Sequence, residues 1–150
     1  MSAWFEGTGE IDCTVGQVQR ALDDQGETFA GVISLMPGMT SVELIDQGSD
    51  FVMIRTNEGL MERTNISKRS EADGVVVEFD KEYEAGSKLT ATSHFSESFT
   101  ASDVGVTYRL TMSNVEAPGF LGFFYSRFGS SKTGNAFLNA YKTYFESQSA

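Results

Sequence analysis

From residue 4 to residue 13 apolar and polar side chains alternate: Phe5, Gly7, Gly9, Ile11 and Cys13 fall on one side, Trp4, Glu6, Thr8, Glu10 and Asp12 on the other. Period two predicts a strand buried on one face. The two glycines on its inner side predict a bend or a close backbone approach. The period then lengthens. Val15, Val18, Ala21 and Leu22 share a helical face, and Thr14 with Gln17 three residues on has the pattern of a capping box. This helix is expected to end near Asp24, with Gln25-Gly26 as its stop signal. Residues 28–36 read as a second short helix or turn closed by Pro37-Gly38.

Six strands are predicted next, at 40–46, 51–56, 60–69, 75–83, 88–99 and 104–115, each separated by turn residues such as Gln47-Gly48-Ser49-Asp50 and Glu71-Ala72-Asp73-Gly74. Short strands joined in series make an antiparallel meander. Val75, Val77, Phe79 and Tyr83 lie opposite Glu78, Asp80, Glu82 and Glu84. Leu89, Ala91, Ser93 and Phe95 oppose Thr90, Thr92, His94 and Ser96, and Val106, Tyr108, Leu110 and Met112 oppose Thr107, Arg109, Thr111 and Ser113. One face of the sheet is therefore to be covered and the other wet. In strands 51–56 and 60–69 the phase is ambiguous. The last pattern, 120–148, is helical: Phe137, Leu138, Tyr141, Tyr144 and Phe145 share one face, Phe120, Phe124 and Phe128 another. Between the two faces lies Gly129-Ser130-Ser131-Lys132-Thr133-Gly134, where a kink, a break or a close contact is expected.

This order predicts an α+β domain spanning 1–150: a curved antiparallel sheet of about seven strands wrapped around a long C-terminal helix, with two short helices after the first strand. Curvature opens space between sheet and helix. The small inner residues Ala91 and Ser93 leave part of that space unfilled. The length suits one core, and a chain of this size buries roughly 70% of its unfolded surface. Twelve phenylalanines make that core rich in rings.

Composition removes several functions. Cys13 is the single cysteine, so an intrachain disulfide and a cysteine metal site are excluded, and its inward phase predicts a buried structural thiol. The net charge of −10 disfavours nucleic acid and anionic lipid surfaces and reads as a solubilising charge. Met1-Ser2-Ala3-Trp4 shows no basic, then apolar, leader, and no run approaches the roughly 20 apolar residues of a membrane span. A cytoplasmic protein without stable membrane insertion is expected.

His94, the one histidine, falls on the polar strand face, away from the presumed cavity; a multi-histidine metal site and a well-placed triad base are both missing. Glu78, Asp80, Glu82 and Glu84 read as a solvated outer face rather than a metal cluster. Arg109 is expected outward. Arg55 or Arg63, if inward, would suit a ligand carboxylate; otherwise they pair across strands with Glu43, Glu58 or Glu62. Tyr83, Tyr108 and Tyr141 each bring a hydroxyl to an apolar face, either to cap the core or to orient a ligand. Residues 129–134 lack the residue order of a phosphate loop, and no strand precedes them.

Several features together resemble the helix-grip (SRPBCC) superfamily, which includes START lipid-transfer domains, birch pollen allergen relatives and bacterial polyketide cyclase/dehydrase-like proteins. These are the opening strand leading into Thr14-Val15-Gly16-Gln17-Val18, the turn Leu35-Met36-Pro37-Gly38-Met39 before Ser41-Val42-Glu43-Leu44, the meander and the final helix. The resemblance covers nearly the whole chain. It implies binding of a hydrophobic or amphipathic small molecule (a lipid, isoprenoid or polyketide) between sheet and C-terminal helix, without a cofactor or metal. Such a cavity would be walled by Phe79, Tyr83, Ala91, Ser93, Phe95, Tyr108 and Leu110 from the sheet. Phe124, Phe128, Phe137 and Tyr141 would close it from the helix. Two alternatives stay open: a cyclase- or dehydratase-like enzyme polarising a carbonyl through cavity tyrosines, and a protein-interaction module whose core is packed solid.

Overall fold

The computed structural model describes residues 5–85, 89–116 and 130–148. Strand β1 (Phe5–Ile11) leads into helices α1 (Val15–Leu22) and α2 (Gln25–Ser34). Strands β2 (Val42–Gln47), β3 (Val52–Thr56), β4 (Gly59–Glu71), β5 (Gly74–Ala85), β6 (Leu89–Ser102) and β7 (Gly105–Glu116) follow, then helix α3 (Ser130–Gln148). The seven strands make one antiparallel sheet in the order β1-β7-β6-β5-β4-β3-β2. The meander read from the alternation is present, with β1 added beside β7. Among the described residues no helix is long and apolar enough to cross a membrane.

The capping box at α1 has both arms: Gln17 N donates to Thr14 Oγ1 at 3.1 Å and Thr14 N donates to Gln17 Oε1 at 2.7 Å. Gln25-Gly26, expected to stop a helix, instead opens one. Asp24 caps α2 by accepting from Glu27 N at 3.1 Å, so the second helix begins at Gln25 and ends at Ser34, not 28–36. At Gly26 the Gln47 side chain lies close: its Oε1 accepts from Gly26 N at 3.1 Å, and a Cβ there would sit 2.4 Å from that oxygen and displace the Gln47 amide. The glycine marks a helix–strand contact rather than a helix end.

Helix α3 runs without a break from Ser130 through Gly134, and the feature found at that glycine is a close contact. A Cβ at Gly134 would lie 2.4 Å from the Phe5 ring. The face predicted from Phe120, Phe124 and Phe128 lies outside the described residues. Bulges in β2, β4 and β7 interrupt the register and let the sheet curve. In β4 two residues, Asn65 and Ile66, oppose Phe79 alone, and Asn65 takes a left-handed φ of 53°. The bulge resolves the ambiguous phase of this strand: Met61 and Arg63 face inward before it, Ile66 packs on the core after it.

The core lies between the inner sheet face and the helices. Phe79 stacks on Phe95 at 5.0 Å between ring centroids, and Phe95 meets Phe137 of α3 edge to face at 5.2 Å. Phe99 stacks on Tyr108 at 4.9 Å and receives Phe145 of α3 edge-on at 5.7 Å. Each such ring pair adds about 0.5–1.5 kcal/mol beyond the area it buries.

Candidate functional site

Strict alternation places three charged side chains on the inner face: Arg63 of β4, Lys81 of β5 and Glu97 of β6, at 3%, 9% and 1% exposure. Burying an ion is costly unless it is paired and hydrogen-bonded. Arg63 meets that requirement in most of its contacts. Its guanidinium lies between the rings of Phe29 and Phe79, 3.6 and 4.0 Å from their centroids. It donates from Nη2 to the Tyr141 hydroxyl at 2.7 Å, and Nη1 lies 3.8 Å from Glu97 Oε1. Glu97 in turn accepts from Tyr108 at 2.6 Å and from Tyr141 at 3.0 Å. Burial, then the neighbouring Glu97 carboxylate, pushes the Tyr108 phenol well above its ordinary pKa. Burial likewise raises Tyr141, against the opposing charge of Arg63. Both therefore stay protonated and donate. Arg63 Nε is buried without a partner.

Lys81 is different. It sits directly across from Arg63 in the β4–β5 register. Its Nζ lies 4.4 Å from the ring centroid of Phe137 and 5.3 Å from that of Phe95. Among the described residues no carboxylate forms an ion pair with it. Burial, then repulsion from Arg63, lowers its pKa to about 7, with Glu97 acting the other way.

At Lys81 the filled core gives way to an open cavity of about 220 Å³. Ile33, Met36, Pro37 and Met39, from α2 and the loop after it, form one wall. Met61, Lys81, Tyr83, Ala91, Thr92, Ser93, Phe95 and Met112 of the sheet form the other, Phe137 closes one side, and Glu58 stands at the exposed rim. Space exists because Ala91 and Ser93 fill little of it. The volume is below the roughly 300–1,000 Å³ of drug-sized sites, and so suits a small guest.

Of the residues expected at a ligand, Tyr83, Ala91, Ser93, Phe95 and Phe137 line this cavity. Phe79, Tyr108, Leu110 and Tyr141 lie fully buried in the filled part of the core. Phe124 and Phe128 lie outside the described residues. Arg55 is exposed, and the inward Arg63 has Glu97 as its carboxylate rather than a ligand or Glu43, Glu58 or Glu62. Lys81 and Glu97 were not singled out by sequence reasoning, although both are in phase with the phenylalanines beside them, Phe79 for the first, Phe95 and Phe99 for the second. The segment from Met36 to Met39 was read as a turn and as part of the family resemblance, but not as a cavity wall.

On the opposite sheet face His94 bonds Asp80 through Nδ1 at 2.9 Å and Glu78 through Nε2 at 3.3 Å. The Asp80 bond first, and then Glu78, raise its pKa against the opposing effect of burial, and the same bond lowers that of Asp80. Arg109 is outward and pairs with Glu6. Among the described residues no three His, Cys, Asp or Glu side chains are placed to hold a metal ion. Cys13 is buried, and burial, reinforced by Asp12 and Glu146, pushes its thiol up to about 11, which suppresses the thiolate.

No known family model matches the chain, and no curated protein matches it in sequence. Its fold is shared. A putative uncharacterized protein from Rhizobium leguminosarum superposes with a TM-score of 0.62 at 9% identity, over 95% of this chain and 93% of that one. A protein from Chromobacterium violaceum gives 0.61 at 7% identity, over 95% and 96%. A STAR-related lipid transfer protein from Xanthomonas axonopodis gives 0.52 at 13% identity, over 96% and 88%. At these identities the likeness is one of fold: this chain has the helix-grip architecture.

Proposed function

We propose that residues 1–150 form one ligand-binding domain and that its cavity holds a small hydrophobic or amphipathic molecule. The observation that carries this reading is the cavity itself: methionine, isoleucine and phenylalanine walls with a few polar groups from Lys81, Tyr83 and Ser93 converging on it. One protein of the same fold is a lipid transfer protein, which supports a guest of that general chemistry. Binding is favoured over acid–base chemistry because Arg63, Glu97, Tyr108 and Tyr141 bond one another in the filled core. An open cavity also argues against the reading of a solid-cored interaction module.

Native mass spectrometry of freshly purified protein, with thermal shifts across lipids, isoprenoids and aromatic polyketides, tests the reading. A retained small molecule or a ligand-dependent rise in Tm is expected. Ala91→Phe, which places a ring in the cavity, should abolish it. Absence of both effects across the panel would overturn the proposal.

A further inference from the structure

Among the described residues the inner face of the sheet buries two basic side chains, Arg63 and Lys81, and one carboxylate, Glu97. Arg63 and Lys81 stand directly opposite each other on adjacent strands, and like charges in that position repel. Among the described residues Glu97 is the one fully buried carboxylate near them, and its oxygens already hold Arg63, Tyr108 and Tyr141. Lys81 is left with two aromatic faces and an opening onto the cavity. Ser93, its cross-strand partner on β6, adds a hydroxyl to the same wall.

From this geometry we propose that the cavity takes a mainly apolar molecule ending in a carboxylate, with the Lys81 ammonium as the anchor for that carboxylate. The inference rests on the binding role proposed above and names the class of guest. A carboxylate at Nζ supplies the missing negative charge, and the methionine and phenylalanine walls take the apolar remainder. Charge-assisted N–H···O bonds of this kind are stronger than neutral ones, and stronger again away from water.

The other charged and titratable groups around Lys81 bear on the sign. Arg63 from β4 attracts an anion and disfavours the lysine proton, whereas Glu97 from β6 favours that proton. Tyr83 follows on the same strand, and α3 contributes Tyr141, whose hydroxyl is tied to Arg63 and Glu97. Glu58 at the rim repels an anion, but it is exposed and screened by water. With the free amine titrating at about 7, an anionic guest has to bind the protonated form. Affinity should then be level between about pH 5, above which the guest's own carboxyl is ionised, and about pH 6, and fall by up to about tenfold for each pH unit above about 7.

Calorimetric titration of the full chain with octanoate and with 1-octanol, at several pH values, is the experiment. Expected results are an octanoate affinity at least about tenfold above that for 1-octanol near about pH 6, a decline of that preference as pH rises beyond about 7, and no pH trend for the alcohol. Lys81→Met should remove the preference, so that octanoate binds no more tightly than 1-octanol. If 1-octanol binds and octanoate binds no more tightly, the anchor is overturned while the cavity stands. If neither binds, the reading of the cavity fails and the anchor with it. Should Lys81→Met not fold, the wild-type pH profiles decide alone: parallel profiles for acid and alcohol overturn the proposal.

Discussion

Two ends of one sheet face, built from the same strands, meet different fates. Towards one end Arg63, Glu97, Tyr108 and Tyr141 close into a hydrogen-bonded knot framed by Phe29, Phe79 and Phe99, with no space between them. Towards the other, Ala91 and Ser93 replace large rings, and Lys81 faces a cavity with no carboxylate partner. The difference teaches how a fold with a continuous core can reserve part of it for a guest. Polar groups that pair with one another stabilise the closed end, and a polar group left unpaired marks the open end.

The largest effect should come from breaking the knot. Glu97→Gln removes the charge that compensates Arg63 and should cost about 3–5 kcal/mol in urea unfolding. A loss below about 1 kcal/mol would mean that Arg63 finds water or another partner, and the two ends would no longer differ in kind. Tyr108→Phe is a milder cut. It removes one donor to a buried carboxylate and should cost about 1.5–3 kcal/mol, with octanoate affinity unchanged. Weaker binding at constant stability would instead place this hydroxyl at the guest and blur the boundary between the ends.

The smallest effect belongs to the reverse side of β5 and β6, where water screens every charge. His94→Gln should lower stability by about a few tenths of a kcal/mol. Because the pKa of His94 is raised on folding, its contribution is complete below the unfolded value and disappears as pH rises through the folded one. Asp80 is shifted down, so its share is present above its unfolded value and fades as pH falls through the folded one. The gap between wild type and variant should thus be widest between the unfolded Asp and His values, about 3.9 and 6.5, and close as pH rises through the raised folded value of His94. A gap that persists in alkali would show that His94 acts by packing alone.

Much of this was legible in the chain. Alternation in 75–83 and 104–115 placed β5 and β7, and the helical stripe of Phe137, Tyr141 and Phe145 proved to be the buried face of α3. Gln25-Gly26 misled because a glycine held against the Gln47 side chain has the same signature as one that ends a helix. Lys81 and Glu97 were passed over for a related reason: grouping residues by hydrophobicity drops charged members from a face, although position along the strand keeps them on it. That Glu97 would meet Arg63 and two tyrosines depends on the register of three strands and a helix, which local sequence does not encode.

The bulge at Asn65 and Ile66 has a wider consequence. A strand ordinarily addresses the interior with every second residue, so that its odd positions or its even positions, but not both, are committed to the core. Here β4 changes frame once, committing odd positions before the bulge and an even one after it. Straightening the strand at that point with every residue kept would restore a single frame and force a choice. Either Arg63 leaves Glu97 and Tyr141 stranded, or the segment after it turns its apolar side chain to water. The left-handed turn at one asparagine is thus what allows a single strand to serve both the knot and the far end of the core.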